Sequence, residues 1–441
     1  MDIAIGLKHL RAMIAVADGG SVTRAAETLY RAQSAITRSI HQLEAALGVE
    51  LFERKTSGML CTAPGNLILF RARRVMAEFA RACEELGGRR DGAVRAATPA
   101  ARGHVPLVLL HERRLVSFVR LAECGHMPTV AKDLGISQPA VSTLVHDLEA
   151  SLGVALFSRS SKGMLLTQAG ETLVFRAKRA LAELRHIEAD LAAFNGTTAG
   201  RVVVGALPLG RTSLIPSSIC EVLARHPRLS FTTLEGTYEK LAAQLRAGDI
   251  DFIVGALSPA DHGGDLVGEA LLTDTMALVV RAGHPLARRR RLQLRDLMHE
   301  QWALSNPSAP AHSPLDRAFD AQGLEPPSGA VETNDLAILR GLLLNSDMIT
   351  AISARQFQHE IQAGQLAVLD IALPDTTKVI GITRRADSQP SPGAAALMAA
   401  IRRHAALLAR GAAAPPIRPG RARTPARSAS TGADALAALA S

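Results

Sequence analysis

"ISQPAVSTLVHDLEASLGVALFSR", Ile136–Arg159, repeats "RAQSAITRSIHQLEAALGVELFER", Arg31–Arg54, at an offset of 105 residues. At that offset residues 10–75 align with 115–180 without gaps. Identities include His41/His146, Leu43/Leu148, Glu44/Glu149, Leu47/Leu152, Gly48/Gly153, Phe52/Phe157 and Arg54/Arg159. Two copies are too few for a solenoid, so the pattern predicts a duplicated domain.

Working outward, each copy reads the same way. A first helix over about 7–18 carries Leu7, Leu10, Ile14 and Ala17 on one stripe. A short helix over Thr23–Leu29 follows, with Ser21 as its cap. A third over Gln33–Leu47 buries Ile36, Ile40, Leu43 and Leu47 and stops at Gly48. Two short strands, "ELFER" and "GMLCT", turn at "KTSG". The second copy predicts helices near 112–124, 128–134 and 138–152 and a hairpin wing over 155–167. Pro128 suits a first helical turn. Each wing runs into a long helical pattern, "PGNLILFRARRVMAEFARACEELG" or "AGETLVFRAKRALAELRHIEADLAAF". The apolar spacing suits a coiled-coil-like dimerisation or linker helix; burial against the helix's own chain is the alternative. Between the copies lies a Gly/Pro/Ala-rich linker, 87–110.

From about residue 200 the pattern alternates strands and helices. "GRVVVGAL", "LSFTTLEG" and "GDIDFIVGAL" read as strands, with helices near 213–226 and 237–247. Further strands are expected near 301–304, 329–333, 348–352 and 366–369, with "TTKVIGITRR" and a helix near 391–408 closing the fold. This spacing predicts a parallel-type α/β sheet. Residues 411–441, rich in Ala, Pro, Arg and Ser, read as a disordered tail.

Charge is uneven along the chain. Residues 1–195 hold 25 Lys and Arg against 19 Asp and Glu, and residues 196–410 hold 21 of each. A basic front half on a neutral back half points to a polyanion partner for the front. Aromatics are only 3% of the chain, which argues against stacking on single strands. Cys61, Cys83, Cys124 and Cys220 have no metal-ligand spacing, so no metal and no cofactor are expected. No apolar run is long enough to span a membrane, and the expected location is the cytoplasm. GxSxG, P-loop, HExxH and CxxC patterns are absent, which argues against an enzyme.

"ISQPAVSTLVHDLEASLGVALFSRSSKGMLLTQAGETL" resembles the winged helix–turn–helix of LysR-type transcriptional regulators. "RAGDIDFIVGAL" and "RAGHPLA" resemble that family's effector domain. The resemblance covers about 1–405. It implies two winged helix–turn–helix domains followed by an α/β, periplasmic-binding-protein-like effector domain of two lobes. The boundaries are 1–86, 87–110 (linker), 111–195, 196–410 and 411–441 (tail). It further implies double-stranded promoter or operator DNA, a small-molecule effector, a homodimer or homotetramer, RNA polymerase as a further partner, and no membrane. "VETNDLAILRGLLLNSDMITAIS" and "TRRADSQPSPGA" look like the branch regulating sugar-binding-protein or aromatic-catabolism genes. The chain departs from the family in carrying two DNA-binding domains where one is usual. The rival reading is a nonspecific or architectural DNA-binding protein with no ligand response.

A recognition helix presents polar and basic side chains to base edges from its N-terminal end. In the first copy these are Arg31, Gln33, Ser34, Thr37 and Arg38, with Arg54 and Lys55 in the wing. In the second they are Ser137, Gln138, Pro139, Ser142 and Thr143, with Arg159 and Lys162 in the wing. Gln suits adenine and Arg suits guanine. The first copy keeps the basic grip but has Ala32 and Ser34 where the second has Ser137 and Pro139. The second has no Lys or Arg from 137 to 149 and carries Asp147 and Glu149. Both copies binding, with the second in the family's usual place, is the favoured arrangement; either copy alone is the alternative. Effector-binding candidates sit at strand ends and helix starts: Leu207, Arg211, Thr212, Ser258, Ser305, Asn306, Thr333 and Asn334. Arg211 suits an anionic ligand.

Overall fold

The computed structural model describes residues 6–56, 58–87, 105–161, 163–258, 264–305 and 314–411. Lys162, Asn306, most of the linker and the tail lie outside the described residues.

The first unit comprises α1 (Leu7–Gly19), α2 (Val22–Leu29), α3 (Gln33–Leu47) and a hairpin of β1 (Phe52–Lys55) and β2 (Gly58–Cys61), leading into α4 (Ala63–Gly87). The second comprises α5 (Glu112–Cys124), α6 (Met127–Leu134), α7 (Gln138–Leu152), β3 (Phe157–Ser160) and β4 (Gly163–Leu166), leading into α8 (Gln168–Phe194). Ser21 accepts a hydrogen bond from the Arg24 amide, and Gly48 ends α3 at φ +67°, as the sequence predicts.

Each unit is held together internally by the same bonds. Glu44 Oε1 accepts from the Leu51 amide at 3.0 Å, and Glu149 Oε1 accepts from Leu156 at 2.8 Å. Thr62 donates to the Glu50 carbonyl and caps Gly65; Thr167 donates to Ala155 and caps Gly170. A Cβ on Gly65 would lie 2.2 Å from the Leu51 carbonyl oxygen, and one on Gly170 would lie 2.1 Å from that of Leu156. Glycine at both positions lets the long helix lie against the wing.

The long helices α4 and α8 pack against each other within the one chain. Buried Ile68, Ala72, Val75, Phe79, Ala82 and Leu86 recur at alternating spacings of four and three. Leu173, Ala177, Ala180, Leu184, Ile187 and Leu191 do the same on α8. This is a coiled-coil seam, and the order of the ion pairs across it makes the helices antiparallel. Both units and both helices share one hydrophobic core. The expectation of a dimer helix is corrected here: the seam is filled from within the chain, because the duplication supplies both helices.

The C-terminal region starts with β5 (Ala199–Ala206), α9 (Ile215–Arg225), β6 (Arg228–Glu235), α10 (Tyr238–Ala247), β7 (Phe252–Ala256) and β8 (Leu266–Asp274). Then come β9 (Ala277–Arg281), β10 (Trp302–Leu304), α11 (Pro314–Asp320), β11 (Gly329–Glu332), α12 (Leu336–Asn345), β12 (Thr350–Ile352), α13 (Gln358–Gln362), β13 (Leu366–Val368), β14 (Lys378–Arg385) and α14 (Pro392–Gly411). A five-stranded sheet runs β6-β5-β7-β14-β8, and smaller sheets run β12-β9-β13 and β10-β11. The expectation of a parallel sheet is corrected in part. β6-β5-β7 and β10-β11 are parallel, whereas β14 lies antiparallel to β7 and β8, and β9 is antiparallel to both neighbours. The chain leaves this sheet at Asp274, the end of β8, and re-enters beside it at Lys378, so β14 runs back antiparallel. Separate cores flank the two groups of strands, Val202, Val204, Leu214, Ile382 and Leu397 on one and Leu278, Trp302, Phe319 and Ile349 on the other.

Candidate nucleic-acid interface and effector region

Just before α3, Arg31 is exposed; on α3, Gln33, Ser34 and Arg38 are exposed and Thr37 is half-buried, while Ile36, Ile40 and Leu43 fix the opposite face in the core. Ser34, Thr37 and Arg38 line one shallow groove with His41 and Gln42. Ala32 occupies the N-cap of α3 and supplies no side-chain bond, whereas Ser137 at the N-cap of α7 accepts from the Ala140 amide. Ala32→Ser is therefore expected to raise stability by about 1 kcal/mol, read by urea denaturation of the full chain; an unchanged midpoint counts against the cap.

On α7, Ser137, Gln138, Pro139 and Thr143 are exposed and Ser142 is half-buried. The Thr143 hydroxyl donates to the Pro139 carbonyl at 3.0 Å. Acidity on this helix is spent internally. Asp147 is held by Arg114 at 2.8 Å, and Glu149 accepts from the Leu156 and Phe157 amides. Gln138 is left exposed, its side chain free to face a base edge. In the wings Arg54 and Arg159 are exposed, and Lys55 pairs with Glu53 at 2.8 Å.

One feature beside α3 is absent from the sequence reading. Tyr30, 96% exposed, closes α2 at φ +51°, where the second unit has Gly135 at φ +63°. A tyrosine strained into that region beside Arg31 puts an aromatic ring at the mouth of the recognition helix. The repeat alignment carries the signal, Tyr against Gly at a helix C-cap.

The effector candidates gather at strand ends. Leu207 follows β5 and Ser258 follows β7, which are neighbouring parallel strands; Ser305 follows β10, and Thr333 and Asn334 follow β11, again parallel neighbours. Leu207 is buried, Arg211, Thr212, Ser258 and Thr333 are half-buried, and Ser305 and Asn334 are exposed. Arg211 donates to Glu235 Oε2 at 2.6 Å, so its charge is already matched. Thr333 accepts from the Asp335 amide, which starts α12. Gly210–Leu214 forms a π-helical turn that packs against Ala354–Phe357, joining the two groups of strands. Ser213 in that turn was not singled out by sequence. Its Oγ is buried with no hydrogen-bond partner among the described residues, which suits a ligand contact.

The second long helix is bonded to the C-terminal region. Lys178 meets Asp249 at 2.9 Å, Arg185 donates to the Gly248 carbonyl, and His186 faces Asp251 at 3.2 Å. Arg179 pairs with Asp387, and Arg71 from α4 donates to the Gln389 carbonyl at 3.0 Å. Burial would raise the Asp387 carboxyl, and Arg179 and Arg385 more than offset it, leaving it below the usual range.

Residues 195–406 match the LysR substrate binding domain, and residues 7–66 and 113–171 match the bacterial regulatory helix-turn-helix protein, lysR family. The chain belongs to the LysR family. Among LysR-type relatives, it is 45% identical over 396 residues to the HTH-type transcriptional regulator GalR of Pseudomonas putida, covering 90% of this chain and 96% of that one. It is 32% identical over 291 residues to PcaQ of Agrobacterium fabrum, covering 66% and 93%. A crystal structure of full-length CbnR with its target DNA is similar at 22% identity and a TM-score of 0.49, over 66% of this chain and 99% of that one. As a LysR-type protein the chain is a transcriptional regulator that binds DNA and carries a substrate-binding domain, and it is not an enzyme. No helix among the described residues is long and apolar enough to cross a membrane.

Proposed function

We propose that this LysR-type regulator acts in the cytoplasm and reads operator DNA with both N-terminal units, under the control of a small molecule held between the two groups of strands of its C-terminal region. One observation carries the reading: two exposed recognition helices stand on one continuous core, and one of its long helices is bonded directly to the C-terminal region. The length of the GalR match supports the duplicated layout, because 396 residues exceed the stretch from 113 to 441. Arg31, Gln33, Ser34, Thr37, Arg38, Arg54 and Lys55 serve the first unit. Ser137, Gln138, Pro139, Ser142, Thr143, Arg159 and Lys162 serve the second. The effector lies against Leu207, Arg211, Thr212, Ser258, Ser305, Asn306, Thr333 and Asn334, with the Ser213 hydroxyl as an added donor. The two lobes are the five-stranded sheet and the smaller sheets. Placement in the branch regulating sugar-binding-protein or aromatic-catabolism genes rests on Val331–Ser353 and Thr383–Ala394.

Because the coiled-coil seam is already filled, any homodimer forms through another surface. The test is DNase footprinting and affinity on the region beside the protein's own gene, with Arg38→Ala and Gln138→Ala made separately. Each is expected to weaken binding about ten- to hundredfold, since each removes one bidentate base contact. A variant that keeps full affinity and an unchanged footprint removes its unit from the reading.

A further inference from the structure

The contacts between α4 and α8 survive an exchange of the two halves. Arg71 donates to Glu183 and Asp190, both at 2.8 Å; Arg176 donates to Glu78 at 3.0 Å and pairs with Glu85. Arg74 donates to Glu183 at 2.8 Å; Arg179 donates to Glu78 at 2.9 Å. Each pair becomes the other when the repeat offset is added to one partner and taken from its mate. The aromatic contacts obey the same exchange: Arg71 and Arg74 lie over Phe70, and Arg176 and Arg179 lie over Phe175.

Reciprocal contact of this kind defines an isologous two-fold interface, which two identical chains ordinarily generate. Here one chain supplies both sides. Since each unit is fixed to its long helix by the same bonds, the axis relating α4 to α8 also relates α3 to α7. Recognition helices related by a two-fold read the two half-sites of one duplex.

The two faces are unlike. Gln33 and Gln138 are equivalent, but Arg31 stands for Ile136, Arg38 for Thr143, Gln42 for Asp147 and Tyr30 for Gly135. Arg is the bidentate reader of guanine, and the second face has none at these positions.

We infer that one chain is a complete two-headed reader, and that its operator is a non-palindromic pair of half-sites with guanine under Arg31 and Arg38 only. The inference rests on the proposal that both units touch DNA, and goes beyond it in stoichiometry and in the sequence read.

The test is enrichment of a random duplex library on the full chain, followed by the mass of the complex formed on the enriched motif. Two unequal halves and one chain per motif are expected. Arg38→Ala should erase guanine preference in one half, with about ten- to hundredfold weaker binding, and leave the other half intact; Gln138→Ala should relax only that other half. A palindromic motif, two chains filling one motif, or a change in both halves with Arg38→Ala overturns the inference while leaving sequence-specific DNA reading in place. A library with no enriched motif overturns the DNA-reading assignment and the inference with it. Both substituted side chains are exposed, so the variants keep the fold.

Discussion

Arg71→Ala is expected to cost the helix pair about 3 kcal/mol, because it leaves Asp190 without its arginine and the buried Glu183 with Arg74 alone. Arg71 is 1% exposed and its partner Glu183 is 4% exposed. Burial would raise the Glu183 carboxyl, but bonding to Arg71 and the charges of Arg71 and Arg74 hold it below the usual range. Its stabilising share is present above the unfolded value near 4.5 and is lost as pH falls through the lower folded value. Arg176→Ala removes the symmetry mate and is expected to cost less, because Arg176 is 16% exposed and its partner Glu85 is 40% exposed. Urea denaturation of both variants at pH 7 checks the order. Equal losses, or a larger loss for Arg176→Ala, would remove the role assigned to burial.

Asp251→Ala is expected to cost about 3 kcal/mol and to weaken the link between DNA and effector. Asp251 accepts from the Val203 amide at 2.8 Å and faces His186 of α8 at 3.2 Å. Alanine leaves that amide and the imidazole without a partner. Burial pushes the Asp251 carboxyl up, and the His186 contact, the Val203 N–H and Arg185 more than reverse it, so its value lies below the ordinary 3.8. The carboxylate therefore stabilises the fold above about pH 3.8, and that share vanishes as pH falls through the folded value. Asp251→Asn keeps an acceptor and should lose less at pH 7, with a shallower fall in acid than the parent. Equal acid slopes for parent and Asp251→Asn would exclude the carboxylate as the source.

The helices of both N-terminal units are legible in the sequence almost to the residue, since caps, glycine stops and a 3.6-residue apolar period coincide there. α3, α5 and α7 have the bounds the pattern predicts, within one residue. What periodicity cannot name is the partner. The apolar stripe on α4 reads identically whether the facing helix belongs to another chain or to α8. β8 escapes the sequence reading because it is a half-exposed edge strand carrying Glu269 and Asp274, without the apolar run that marks β7. In the effector region the strand ends are predictable, but the pairing of Arg211 with Glu235 and the unpartnered hydroxyl of Ser213 are tertiary facts. Asp147 and Glu149 stand out in sequence as acidic residues in a stretch without Lys or Arg, and the fold neutralises the first with Arg114 and employs the second as a backbone acceptor.

The reciprocal seam between α4 and α8 has a consequence for orientation. A symmetric dimer on a palindrome can be turned end for end without any change in energy, so it has no front. A chain whose two heads differ at Arg38 and Thr143 loses that equivalence while keeping the same scaffold. Under the two-headed reading inferred above, it settles on DNA facing one way. On that reading its C-terminal region, bonded to α8 through Lys178, Arg185 and His186, would always be delivered to the same side of the gene.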